Sequence, residues 1–117
     1  MRRIDGEHVL MRIFIGQSDR WERKPLASAL LELFRAKGLA GATVVQGVAG
    51  FGPTSIVHEV HLLRLSQDLP IVIEVVDTQE RIDAVLGEVD RMMSGGLITL
   101  EKVRVVRYEG GAGGPLP

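Results

Sequence analysis

LPIVIEVVDTQERIDAVLGEVDRM, residues 69–92, changes its hydrophobic period once, and that change decides the fold. From Leu69 to Val76 nearly every residue is apolar and most are β-branched, the mark of a strand. After Asp77 the apolar residues fall at Ile82, Val85, Leu86 and Val89, the spacing of a helix with one buried stripe. Asp77 and Glu80, three apart, read as a capping box at that helix's start.

Outward from this unit the same signals recur. His8–Ile15 (HVLMRIFI) reads as a strand closed by Gly16, followed by a polar loop, GQSDRWER. Pro25 suits the first turn of a helix over 25–37, whose stripe is Leu26, Leu30, Leu33 and Phe34 and whose stop is Gly38. Thr43–Val48 reads as a strand running into GVAGFG. Residues 53–66 fit neither period and read as a loop with a returning limb, and Gly95 and Gly96 lead into a last strand over 97–107. The order β-α-β-β-α-β predicts an α+β, ferredoxin-like sandwich with two helices on one face of a four-stranded antiparallel sheet. Residues 1–108 form one domain, and the Gly/Pro-rich 109–117 read as a flexible tail.

A sheet with one wet face should alternate apolar and polar residues. Here Ile71, Ile73 and Val75 share one face while Val72 and Val76 share the other, interrupted by Glu74. Val9, Met11, Ile13 and Ile15 likewise oppose Leu10 and Phe14, interrupted by Arg12. Two helices cover only one face, so the second is expected to meet another subunit. A cation inside an apolar strand needs a counter-charge, and Glu74 is the expected partner of Arg12.

Composition excludes several function classes. With 117 residues, no cysteine, and 14 Lys+Arg against 15 Asp+Glu, the chain supports no disulfide scaffold, thiolate metal site or cysteine nucleophile. Near-neutral charge argues against nucleic acid. No apolar run approaches a membrane span and the start, MRRIDGEHVL, lacks a signal-peptide core, so the expected location is the cytoplasm, without membrane insertion. The serines lie in no nucleophile-elbow context, and no catalytic residues are assigned.

The candidate binding residues are glycines and cations. Gly47, Gly50 and Gly52 at a strand end can form a nest of amides around an anion, or a hairpin or bulge with unusual φ. Gly95 and Gly96 read as a helix C-cap and turn, with phosphate contact as the other reading. Arg104 and Arg107, an odd number of positions apart, face opposite ways on a regular strand and read first as solvated charges. His58 and His61 do not converge on a strand either, which leaves His58 as a weak candidate metal ligand. Trp21, among Arg20, Arg23 and Lys24, can anchor an interface or simply cover the first helix.

Taken together, GATVVQGVAGFG, RLSQDLPIVIEVVD and KPLASALLELFRAKGLAGATV resemble the bacterial domain-of-unknown-function family 190, which is classed as PII-like. The resemblance runs from Val9 to Tyr108. It implies a homotrimer of ferredoxin-like sheets that binds a small anionic ligand, an adenine nucleotide such as ATP, ADP or AMP, in subunit clefts. It also implies that the loop over 53–65 signals to a regulated target, of which transporters and metabolic enzymes are examples. Gly50-Phe51-Gly52 resembles the base of the PII signalling loop, Gly95-Gly96 the phosphate-cradling turn, and Arg104 and Arg107 the phosphate-binding arginines. Leu97 and Ile98 stand where PII proteins have a lysine, Pro53 and Thr54 where they have a glutamine, and the loop has no tyrosine. A metal-binding trimer resembling the cation-tolerance proteins and a ligand-free protein-binding adaptor are the alternative readings.

Overall fold

A computed structural model describes residues 6–52 and 68–109. The elements are β1 (Gly6–Gly16), β2 (Arg20–Trp21), β3 (Lys24–Pro25), α1 (Leu26–Ala36), β4 (Thr43–Gln46), β5 (Pro70–Asp77), α2 (Gln79–Met92) and β6 (Leu97–Val105). One antiparallel sheet has the order β4-β5-β1-β6, the ferredoxin-like arrangement. The last strand ends at Val105, two residues before the expected limit, and Arg107 lies beyond it.

The helices bury one face of this sheet. Val9, Met11, Ile13 and Ile15 of β1 and Ile71, Ile73 and Val75 of β5 meet Leu26, Leu30, Phe34, Ile82, Val85 and Val89 in one cluster. Burying each such side chain contributes about 1.5–3 kcal/mol, which places the fold's main driving force in this layer. Leu33 and Leu86 sit at its margin, while Ala29 is buried.

Both helices are closed by local chemistry. Gly38 adopts φ +73°, Leu39 N–H donates to the Phe34 carbonyl and Gly38 N–H to the Arg35 carbonyl, which completes a Schellman stop for α1. At the other end Pro25 is the N-cap residue and its ring caps nothing; Leu26 N–H donates instead to the Asp19 carbonyl of the loop. The cap of α2 is Thr78, one residue later than expected: its hydroxyl accepts from Arg81 N–H. Asp77 is freed for longer-range work. Fully buried, its carboxylate accepts from Thr78 N–H at 2.7 Å and from Ala40 N–H at 2.8 Å. Tyr108 Oη donates to the Ala40 carbonyl at 2.6 Å, so one linker residue ties α1–β4 to both β5 and the chain beyond β6.

The polar stretch 17–24 is not a plain loop. Arg20–Trp21 pairs with Lys24–Pro25 in a small hairpin whose two turn residues, Glu22 and Arg23, both have positive φ (47° and 71°). Such turns normally carry Asn or Gly, so this one holds two bulky charged residues in a strained conformation.

Candidate functional site

The sheet face away from the helices is apolar with a charged centre. Leu10, Arg12 and Phe14 of β1 lie on it beside Val72, Glu74 and Val76 of β5 and Leu97, Thr99 and Glu101 of β6. The expected pair is present: Arg12 Nε donates to Glu74 Oε2 at 2.8 Å. Arg12 Nη1 also reaches Glu101 Oε1 at 3.2 Å, so the guanidinium bridges three strands. Hydrogen bonding to Glu74 raises the Arg12 pKa above its ordinary value, assisted by the charges of Glu74 and Glu101 and opposed by desolvation. Leu97 is 54% exposed and Val45 47% exposed, so this face is uncovered within one chain.

The glycine turns lie at one end of the sheet but on opposite edges. Gly47–Gly52 follows β4, Gly95–Gly96 precedes β6, and β5 and β1 stand between them. Three strand spacings separate the two edges by about 14 Å. The cations sit elsewhere: Arg104 pairs with Glu7 near the start of β1, about 25 Å along β6 from the glycines. Arg104 and Arg107 are exposed. Within one chain, therefore, these residues form no common pocket. The two glycine turns stand at opposite edges of the sheet.

Packing explains part of the glycine pattern. A Cβ on Gly47 would come 2.6 Å from Pro70 Cγ, and Gly47 N–H donates to the Pro70 carbonyl at 2.7 Å. A Cβ on Gly50 would meet the same Pro70 ring at 3.0 Å. The cluster thus folds over Pro70, the close-approach use of glycine. On the β6 side Gly96 has φ +107° and a Cβ there would lie 2.6 Å from the Phe14 carbonyl oxygen, whereas Gly95 has open space around it. Phe51 is 73% exposed, an aromatic ring without cover at the loop base.

The β1–α1 turn can be excluded as an anion nest. Gly16 N–H donates to Asp19, Ser18 N–H to Asp68 and Gln17 N–H to the Leu69 carbonyl. All three amides are occupied, two by carboxylates. As for metals, no group of three His, Asp or Glu residues able to hold an ion occurs among the described residues. His8 turns its Nδ1 to the Gly6 carbonyl oxygen at 3.0 Å. His58, His61 and the 53–65 loop lie outside the described residues. None of the described helices is long and apolar enough to cross a membrane.

Comparison with known proteins agrees with this architecture. Residues 8–105 match the model of family DUF190, described as an uncharacterized ACR. A UPF0166 protein of Aquifex aeolicus is 40% identical over 97 residues, covering 83% of this chain and 91% of that protein. A UPF0166 protein of Methanocaldococcus jannaschii is 30% identical over 101 residues, covering 86% and 93%. In structure the chain is similar to CPII of Thiomonas intermedia, solved with ADP and bicarbonate, at TM-score 0.53 and 16% identity, over 85% of this chain and 88% of that one. It is similar also to a functionally unknown protein of Pediococcus pentosaceus, at TM-score 0.53 and 14% identity, over 92% and 100%. At such identities the structural matches speak for the fold. With the family match spanning residues 8–105 and relatives 40% and 30% identical over most of the chain, the chain belongs to family DUF190.

Proposed function

We propose that this protein is a PII-like regulator that binds a small anionic ligand, an adenine nucleotide, in clefts between the subunits of a homotrimer. The observation that carries the reading is the placement of the two glycine turns on opposite edges of one end of the sheet. One edge of each subunit meets the other edge of its neighbour in a cyclic assembly, which unites Gly50–Gly52 with Gly95–Gly96 across an interface. Arg104 and Arg107, distant in their own chain, are available to complete a neighbour's cleft. The uncovered apolar face around Arg12 supports assembly, and the exposed Phe51 supports closure of the cleft. The fold likeness to CPII, whose solved structure holds ADP, favours a nucleotide over other anions.

In this mechanism the ligand's phosphates take backbone N–H groups of the turns and the arginines' charge. Differential contacts then shift the loop over 53–65 between states that a target protein distinguishes. The target is a regulated protein, in the class of transporters and metabolic enzymes.

Calorimetric titration with ATP, ADP and AMP, with and without magnesium, tests the reading on samples whose mass is fixed by light scattering. Saturation near one ligand per subunit in a trimer, lost in Gly50→Val with the trimer intact, is the expected result. A trimer that takes up none of these nucleotides refutes nucleotide binding, and a monomer refutes the cleft.

A further inference from the structure

β4 is the least anchored strand of the four-stranded sheet. Thr43, Val44, Val45 and Gln46 are all exposed, so its four residues place no side chain in the core. Its far end is fixed where Gly47 N–H donates to the Pro70 carbonyl at 2.7 Å. Its near end depends on the linker over 37–42, whose apolar contacts with the core are those of the half-buried Leu39 and Ala42. An element with little buried area opens locally at low cost, so polar ties decide how firmly β4 stays docked.

Three side-chain ties meet on that linker, and they differ in permanence. Ala40 N–H donates to the carboxylate of Asp77, which is fully buried and part of the folded core. Arg81 Nη1 of α2 donates to the Gly38 carbonyl at 3.1 Å on the exposed surface. The third tie comes from beyond the opposite edge of the sheet, where Tyr108 Oη donates to the Ala40 carbonyl at 2.6 Å. Val105 ends β6 against Gly6 at the start of β1, so residues 106–108 run as a strap past β1 to the linker beside the end of β5. Val106 is 82% exposed and Arg107 is exposed, while Tyr108 is half-buried and Glu109 makes an isolated backbone bridge. None of these residues belongs to the core cluster, so the strap can leave without opening it.

We infer that residues 106–108 are a releasable latch for β4. With Tyr108 on Ala40 the strand is docked and Gly47–Gly52 is held at the end of the sheet. With Tyr108 released the linker loses its tie to the β6 edge and β4 loosens. A ligand that needs the docked turn holds the strap shut, and a contact that draws Tyr108 away disfavours that ligand to the same degree. This rests on the cleft proposed above only for what is regulated, the β4 side of that cleft; the latch itself involves no ligand.

Tyr108→Phe removes the donor and keeps the half-buried ring, so it tests the tie and spares the fold. Amide hydrogen exchange of the full chain, read by NMR, is compared between parent and variant without ligand. The protected amides of Thr43–Gly47 should exchange about fivefold faster in the variant, the effect of one hydrogen bond on a local opening, with Met11, Ile13 and Ile73 unchanged. Equal exchange in β4 overturns the latch. Uniform acceleration across β1, β4 and β5 overturns it in favour of a contribution to global stability. Repeating the exchange with ADP separates the latch from the functional reading. If calorimetry shows ADP bound, exchange in β4 of the parent should slow in step with saturation, and bound ADP that leaves β4 exchange unchanged overturns the latch as a regulator of the cleft. If no ADP binds, the nucleotide reading falls, while the latch still stands or falls on the ligand-free comparison.

Discussion

Arg12 and Glu74 stand directly opposite each other on β1 and β5, joined at 2.8 Å on the face that no helix covers. On a solvated surface such a pair would matter little. Under an assembly interface it becomes costly to break and costly to leave unmatched. Glu74→Leu should therefore raise the protein concentration needed for assembly by about tenfold. Arg12→Leu with Glu74→Leu should recover much of that loss. Light scattering across a dilution series reads both, and equal behaviour of single and double variants would place this face in water.

Asp77 is the buried charge of the fold. It accepts two backbone N–H groups, one from Ala40 in a different segment, so its loss strands a buried donor. Asp77→Ala should cost about 2–4 kcal/mol in urea unfolding, with Asp77→Asn milder because one oxygen remains to accept. A loss below about 0.5 kcal/mol would mean that the Ala40 linker rearranges freely.

Gly95 and Gly96 are adjacent but should respond differently. Gly96→Ala puts a methyl against the Phe14 carbonyl at positive φ and should destabilise by about 1–3 kcal/mol. Gly95→Ala enters open space and should stay within about 0.5 kcal/mol of the parent. If nucleotide binding falls in Gly95→Ala while stability holds, the turn touches ligand.

Lys24 gives the hairpin a pH signature. Hydrogen bonding and charge from Glu32 raise its pKa above the ordinary 10.5, so the folded chain holds this proton more tightly than the unfolded one. The stabilisation is complete below 10.5 and is lost as pH rises through the raised value. Trp21 emission should therefore be constant through neutral pH with respect to this group and change above 10.5, and Lys24→Gln should abolish that step. A step that persists in the variant would belong to another group.

Much of this was legible in residue patterns, and the reasons are physical. Two-sided apolarity in β1 and β5, with one charge on each, foretold both the open face and the Arg12–Glu74 contact, because strand period is rigid. The hairpin escaped because Glu22-Arg23 carries no turn signal: its left-handed conformations are imposed by packing, not favoured locally. The α2 cap was misplaced by one residue because Asp77 and Thr78 are both good caps, and only the distant Ala40 amide claims Asp77. Gly47 and Gly50 were recognisable as special, but their common neighbour, Pro70, is more than 15 residues away along the chain and visible only in the fold. The separation of the two arginines from the glycines likewise emerges only when β6 is laid against β1.

The two glycine turns, one at each edge, also have a genetic consequence. A chain damaged at the β4 edge still carries a sound β6 edge, and the reverse holds for a chain damaged beside β6. With the cleft formed between subunits as proposed, two such chains mix on co-expression, and an intact cleft is rebuilt wherever the sound edges of two different subunits meet. Gly50→Val and Gly95→Val, each inactive alone, should therefore complement in mixed assemblies. Sites enclosed within a single chain could never do so.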